Sequence, residues 1–175
     1  QLKEPLPRVL DVDMIAWERN SAWPRAFFVD QVASYQTKEE LARFFHRAMG
    51  MPLVAVSSET SVPPVTDRTV VPAFGYHMTE NSTSFSIHAP SAGIVALIEV
   101  NIPGDVRAMV NGQNAEVITV NHVFRGLKLP KAGIYEISFY YRPRFWFLSL
   151  ALSLIGIISV FASLILFKRP RLGMQ

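Results

Sequence analysis

Four histidines, His46, His77, His88 and His122, are the side chains best suited to bind a metal or to move protons near neutral pH. None stands at metal-ligand spacing to another. His77 and His88 are the pair that a hairpin would bring together, which would supply two imidazoles of a zinc site. A tight cluster of further ligands is missing, so solvated or hydrogen-bonded histidines are the plainer expectation. Asp11 and Asp13 alternate as two residues on one strand face would, and paired carboxylates can share acid and base work. An exposed strand edge accounts for them more simply. Serines abound, but no Gly-x-Ser-x-Gly elbow surrounds any of them, and no glycine-rich phosphate loop is present. Phe124-Arg125-Gly126 has the look of a binding loop, although a strand end followed by a turn explains it too. The chain has no cysteine, which removes disulfides and thiolate ligands. No catalytic residue, metal ligand or cofactor-binding residue is therefore assigned, and the chain is not expected to be an enzyme.

The remaining residues with a distinctive pattern lie in an apolar run. Residues 145–167, FWFLSLALSLIGIISVFASLILF, contain no charge. As a helix they would measure about 35 Å at ~1.5 Å per residue, against a hydrocarbon core of roughly 30 Å. Trp146, between Phe145 and Phe147, suits the headgroup level at one edge. Arg142 and Arg144 lie just before it, Lys168 and Arg169 just after it, and Pro170 stops the helix. A single transmembrane helix over 145–167 is expected, with Trp146, Arg142, Arg144, Lys168 and Arg169 as its interface anchors. At about 100° per residue, Ser149, Ser153, Gly156 and Ser163 fall within about 80° of each other, with Ser159 at the edge of the same side. Phe147, Leu154, Ile158, Phe161 and Ile165 occupy the opposite face. Small residues let helices approach closely in lipid, so this face is read as a helix-packing interface. Serines bonded to their own i−4 carbonyls are the simpler alternative.

Charge is distributed in the same sense. The net charge is +3, with 17 basic and 14 acidic residues. Residues 142–175 hold Arg142, Arg144, Lys168, Arg169 and Arg171 and no acid, leaving 12 basic and 14 acidic residues in the rest. The basic excess flanks the apolar run, so it does not read as a nucleic-acid footprint. Three cations after the run and two before it favour a cytoplasmic C-terminus, with residues 168–175 as a short cytoplasmic tail. The sequence opens on Gln1, and a removed signal peptide or longer segment is the matching expectation.

The elements that would precede this helix are mostly strands. Residues 1–24, with Pro5, Pro7 and Pro24, read as an extended N-terminal arm that includes a short strand. Residues 25–141 read as an extracytoplasmic domain. RAFFVDQVASY (25–35) is β-prone. In TKEELARFFHRAMG, Thr37 and Glu40 have capping-box spacing. Leu41, Phe44, Phe45 and Ala48 share one face, and Gly50 and Pro52 mark the end of a short amphipathic helix over 38–49. Residues 53–56 read as a buried strand and 57–68 as a mobile loop. Residues 69–78 and 83–89 flank a turn, and 93–101 is an unbroken apolar run suited to a central strand. Asn111-Gly112 marks a hairpin between VRAMV and AEVITV. Tyr135, Ile137, Phe139 and Tyr141 alternate with polar residues in the last strand. Seven or eight short strands make the fold class mainly β: a β-sandwich, Ig-like or jelly-roll-like, followed by one C-terminal transmembrane α-helix.

Residues 103–145 carry an ordered set of short motifs: Pro103-Gly104, Asn111-Gly112, Asn121, Phe124-Arg125-Gly126, Leu129-Pro130, Gly133, Tyr141 and Pro143. In this order they resemble the end of the YfhO-like bacterial membrane proteins, multi-span proteins grouped with lipid-linked-sugar glycosyltransferases. WPRAFFVDQV (23–32) is similar to the family's entry into this domain. The resemblance covers about 120 residues and the span, and implies the C-terminal extracytoplasmic β-domain and last membrane helix of such a protein. Two features depart from it. The aromatic that follows Pro-Gly in the family is Asp105 here, and the many-span part expected to hold the catalytic carboxylates is missing from this sequence. In a bacterial protein, as the resemblance implies, the acceptor-like Asn81-Ser82-Thr83 would stay unmodified. The expectation is a non-catalytic single-pass subunit of the bacterial inner membrane that organises a larger complex. Its partners would be other transmembrane subunits, with an energy-transducing complex as one candidate that no residue selects, and the lipid bilayer. Neither nucleic acid nor a small-molecule ligand is expected. The alternatives are a fragment or split partner of a lipid-linked-sugar glycosyltransferase, and a membrane-anchored carbohydrate-binding module.

Overall fold

The computed structural model of the chain describes residues 8–11, 15–17 and 22–166. Asp13, Phe167, Lys168, Arg169 and the rest of the expected tail lie outside the described residues. In the N-terminal arm, β1 (Arg8–Asp11) pairs antiparallel with β2 (Ile15–Trp17). The domain then runs β3 (Ala26–Val29), β4 (Ala33–Tyr35), α1 (Lys38–Arg47), β5 (Ala55–Ser57), β6 (Val70–Pro72), β7 (Phe74–Met78), β8 (Ser82–Ala89) and β9 (Gly93–Val100). It continues with β10 (Val106–Val110), β11 (Gln113–Ala115), β12 (Ile118–Val120), β13 (Phe124–Leu129), β14 (Gly133–Tyr141) and α2 (Trp146–Leu166).

Two five-stranded antiparallel sheets form the sandwich, with strand orders β11-β10-β14-β8-β7 and β12-β13-β9-β3-β6. Their facing side chains make the main core, including Phe28, Phe85, Ile87, Leu97, Leu127, Ile137 and Phe139. The mainly β sandwich read from turn spacing is therefore the fold. Three sequence segments divide differently from expectation. Residues 69–78 are not one strand: β6 pairs with β3 in one sheet and β7 with β8 in the other. AEVITV is likewise split, because β11 closes the Asn111-Gly112 hairpin and β12 joins the opposite sheet. RAFFVDQVASY breaks into β3 and β4 at Asp30. Tyr76 laces the sheets together at one side, its hydroxyl accepting from Ala26 N at 3.0 Å and donating to Ala26 O at 3.2 Å.

All four residues of β3 are buried, as are Ile94 to Leu97 of β9. Alternate side chains serve opposite sides. Ala26, Phe28, Val95 and Leu97 face the other sheet, whereas Phe27, Val29, Ile94 and Ala96 enter a second core with Val54 and Val120. A strand buried on both faces needs an unbroken apolar run, which is the pattern of AFFV and IVAL. The second core is roofed by a small layer in which β4 and β5 pair in parallel and α1 packs on them through Leu41 and Phe44, joined by Ala48 at its C-cap. Trp23 joins the roof to the sheet. Its ring meets Phe27 at 5.7 Å and Phe45 at 5.8 Å, and its indole N–H donates to Gly50 O at 2.7 Å. By contrast, β14 alternates between buried Tyr135, Ile137 and Phe139 and less buried neighbours, because its outer face has no roof. Tyr141, expected on the buried side, is exposed at the strand end.

The helix start follows the expected chemistry with one change. Thr37 Oγ1 accepts from Glu40 N at 3.2 Å, and Glu40 Oε2 accepts from Gln36 N at 2.9 Å rather than from Thr37. Ser61 also donates to the Glu40 carboxylate. The Ser61 hydroxyl and the Gln36 N–H together lower the Glu40 pKa. Folding thus depresses this pKa, so the cap contributes fully above the ordinary carboxylate value of about 4.3 and fades as pH falls through the lower folded value. Thermal melts in detergent should place Glu40→Gln below wild type at neutral pH, with the gap narrowing as the pH falls below the ordinary carboxylate range. A gap that persists in acid would contradict this.

Residues 57–68, expected as a mobile loop, are tied down. Ser34 and Val62 exchange both backbone hydrogen bonds at 2.8 Å. Arg68, itself buried, donates to Pro52 O at 2.8 Å and Val65 O at 2.7 Å. Burial among carbonyls pushes its pKa below the usual arginine value.

Candidate functional site

The region with functional potential is the junction of sandwich and apolar helix. α2 spans 21 residues, about 32 Å at 1.5 Å per residue. It is long and apolar enough to cross a membrane, and none of it is buried in the protein. Trp146 opens the helix and is 55% exposed. Ser149, Ser153, Gly156, Ser159 and Ser163 all lie exposed along it. Added methyl bulk at Gly156 would meet nothing within 4 Å. Ser159 differs from the others: its hydroxyl donates to Ile155 O at 2.8 Å, the back-bonded arrangement. The other members, together with Val160, follow steps of four, three, four and three residues, the 3.5-residue repeat of a left-handed helix seam.

Four residues, Arg142 to Phe145, connect β14 to α2, and the first three are held by one turn. Arg142 N donates to Asp105 O at 2.6 Å. Arg144 N donates to Asp105 Oδ1 at 2.9 Å, and Arg144 Nη2 donates to Pro103 O at 2.8 Å. Pro143 O accepts from Trp146 N at 3.1 Å, starting the helix. Gly104 makes the clamp possible, since its φ is +90° and a Cβ there would lie 2.1 Å from Arg144 Nη2. Asp105, the departure from the resemblance, is thus the acceptor that fixes the linker. Arg142 and Arg144 also lie over aromatic rings, Phe147 at 5.6 Å and Phe145 at 5.9 Å.

A charged cluster lies at the same end of the sandwich. Glu99 Oε1 accepts from Arg25 Nη2 at 2.8 Å and Thr83 Oγ1 at 2.9 Å, and its Oε2 accepts from Arg125 Nη1 at 2.8 Å. The Phe124-Arg125-Gly126 triplet is therefore structural and lies within β13, not in a loop. Phe124 packs at the second core, Arg125 pairs with Glu99, and Gly126 leaves space for Val120, whose Cγ1 would be 2.5 Å from a Cβ. Glu99 and Arg125 side chains are only 18% and 15% exposed. Glu99→Ala should therefore cost about 2 kcal/mol, between an exposed and a fully buried pair, with the penalty coming from the stranded Arg125. Thermal unfolding of the full chain in detergent reads this, and a loss below about 0.5 kcal/mol would match a surface pair instead.

The histidines do not assemble. His77 stands opposite Ser84 on β8, while His88 stands opposite Ile134 on β14, so the hairpin does not bring the two imidazoles together. His122 lies in the β12–β13 turn with φ of 72°, beside Asn121 with φ of 49°. Asn121 is buried and fully bonded. Its Oδ1 accepts from Ala55 N and its Nδ2 donates to Leu53 O, both at 2.7 Å. The sequence marked Asp105 only as a departure from the resemblance, one step from the Pro-Gly turn, and it gave no role to Glu99 or to Arg107 on β10. Glu99 was visible as the first acid after the apolar run of β9. No family model, curated protein or solved structure matches this chain.

Proposed function

We propose that this chain is a non-catalytic, single-pass membrane subunit that stabilises or organises a larger bacterial membrane complex. In this reading α2 spans the cytoplasmic membrane, its small face packs against other transmembrane subunits, and the sandwich stands on the extracytoplasmic side. The observation that carries the proposal is the clamped joint. A domain on a simple tether gains nothing from a fixed orientation, and flexible linkers are rich in glycine and serine. Here Asp105 and Gly104 hold Arg142 and Arg144, so the sandwich and the helix seam face fixed directions at once. That geometry suits a part that must meet partners both in the bilayer and above it.

Cysteine cross-linking in native membranes tests this, and the chain has no cysteine of its own to confuse the readout. Ser153→Cys should form adducts of defined mass with another membrane protein, and Ile158→Cys on the opposite face should not. Equal adducts from both faces, or none from either, would overturn the assignment. A cysteine at the exposed Glu59 should react with an impermeant maleimide in intact spheroplasts if the sandwich is outside.

A further inference from the structure

The outer face of the sheet formed by β11, β10, β14, β8 and β7 gathers positive charge at the end nearest α2. Arg107 stands opposite Tyr140 in the β10–β14 register. Strand alternation puts these two on the outer face, away from the buried Ala108 and Phe139. Asn114 stands opposite Met109 on the same face. With Arg142 and Arg144 of the linker and Phe147 of the helix, these residues line a cavity of about 490 Å³, and no Asp or Glu lines it. Arg144 is already engaged by Pro103 O, and its Nε is 3.8 Å from Asp105 Oδ1. Among the described residues, neither Arg107 nor Arg142 has a carboxylate at ion-pair distance.

Two guanidinium groups that line one cavity, neither with a described carboxylate beside it, repel each other, and an anion between them would offset that repulsion. The guanidinium fork matches phosphate oxygens two at a time. The position of the cavity selects the source. Arg142 rests on the Phe147 ring, one residue after Trp146, and aromatic residues at the start of an apolar helix mark the headgroup level of a bilayer. A soluble phosphate would use the arginines and leave the Phe147 wall idle. A phospholipid uses both, with its phosphate in the cavity and its acyl chains passing down the exposed helix.

We propose that this cavity binds the headgroup of an anionic phospholipid. Arg107 and Arg142 hold the phosphate, Asn114 and the Tyr140 hydroxyl bond the rest of the polar head, and Phe147 packs the start of the acyl chains. The proposal rests on the part of the preceding reading that places α2 in the bilayer, and not on any protein partner.

The full chain is reconstituted in nanodiscs of mixed phosphatidylglycerol and phosphatidylcholine, and retained lipid is counted by native mass spectrometry after release. Wild type should retain phosphatidylglycerol over phosphatidylcholine, and Arg107→Gln and Arg142→Gln should each reduce that preference about fivefold. Both side chains are exposed, so melting temperatures should be unchanged. A preference that survives in both variants, or is absent in wild type, overturns the proposal. Displacement by millimolar inorganic phosphate would assign the site to a soluble anion and also overturns it. Carbonate extraction of the same membranes reports insertion separately. A chain that stays inserted but shows no lipid preference refutes this inference alone, whereas a chain that carbonate extracts refutes the membrane reading as well.

Discussion

Asn121→Ala is expected to destabilise the protein by about 4 kcal/mol, roughly twice the cost of Glu99→Ala. The side-chain amide satisfies Ala55 N and Leu53 O, and Leu53 and Ala55 are both fully buried. Truncation leaves a donor and an acceptor without partners, at about 1–3 kcal/mol each. The backbone adds to this, since φ is 49° and Ala gains no local compensation in the left-handed region. Asn121→Gly separates the two effects: it loses the same hydrogen bonds but relaxes the backbone, so it should be about 1 kcal/mol less damaging than Ala. Denaturant unfolding of the full chain in detergent measures both. A loss below about 1 kcal/mol for Ala would mean that water replaces the amide, and that the roof layer of α1, β4 and β5 is not held to the sandwich through this residue.

If α2 packs against another membrane subunit as proposed, Gly156→Leu is expected to weaken that association about tenfold or more, while leaving the chain's own fold unchanged. The second half follows from geometry, because nothing lies within 4 Å of a Cβ at Gly156. The first half follows from how helices pack in lipid. With no hydrophobic drive between helices, close backbone approach supplies the attraction, and a Leu at the seam holds the backbones apart. The 3.5-residue repeat of Ser149, Ser153, Gly156, Val160 and Ser163 corresponds to a left-handed crossing near +20°. Ser159→Leu should have less effect, because its hydroxyl is already spent on Ile155 O. Co-migration in mild detergent, quantified against Ile158→Ala on the opposite face, reads the outcome. Equal co-migration of Gly156→Leu and wild type would remove this face as an interface.

The two variants probe different levels of the same design. Asn121 keeps the roof on the sandwich, and Gly156 addresses what the helix meets. Between them lies the joint of Gly104, Asp105, Arg142 and Arg144, which ties the apolar helix to the sandwich. The arginine cavity sits on that joint. If it holds a lipid headgroup, the lipid would itself brace the orientation, because Arg107 belongs to the sandwich and Phe147 to the helix.

Local pattern alone determined several elements. The apolar stretch is uncharged over more than the length of a bilayer core, so α2 was legible from composition. α1 was legible from Thr37, Glu40 and the Leu41–Phe44–Ala48 face, because capping and helical periodicity are encoded within a dozen residues. β14 was legible because it is covered on one face only, and one-sided burial writes a two-residue alternation into the sequence. The Asn111-Gly112 turn was legible because its backbone needs positive φ at both positions, 50° and 78°.

Tertiary structure alone decided the rest. Residues 69–78 and 115–120 look continuous, but each is divided between two sheets, since hydrogen-bond partners come from distant strands and leave no local mark. The unbroken runs of β3 and β9 showed burial without showing that two different cores share it. Asn121, Glu99 and Arg107 are ordinary polar residues until strands far apart in the chain bring Leu53, Arg125 and Arg142 beside them. Sequence records how much of each side chain is buried; what it is buried against, or held open for, is a matter of long-range register, and that is where the joint and the cavity of this protein arise.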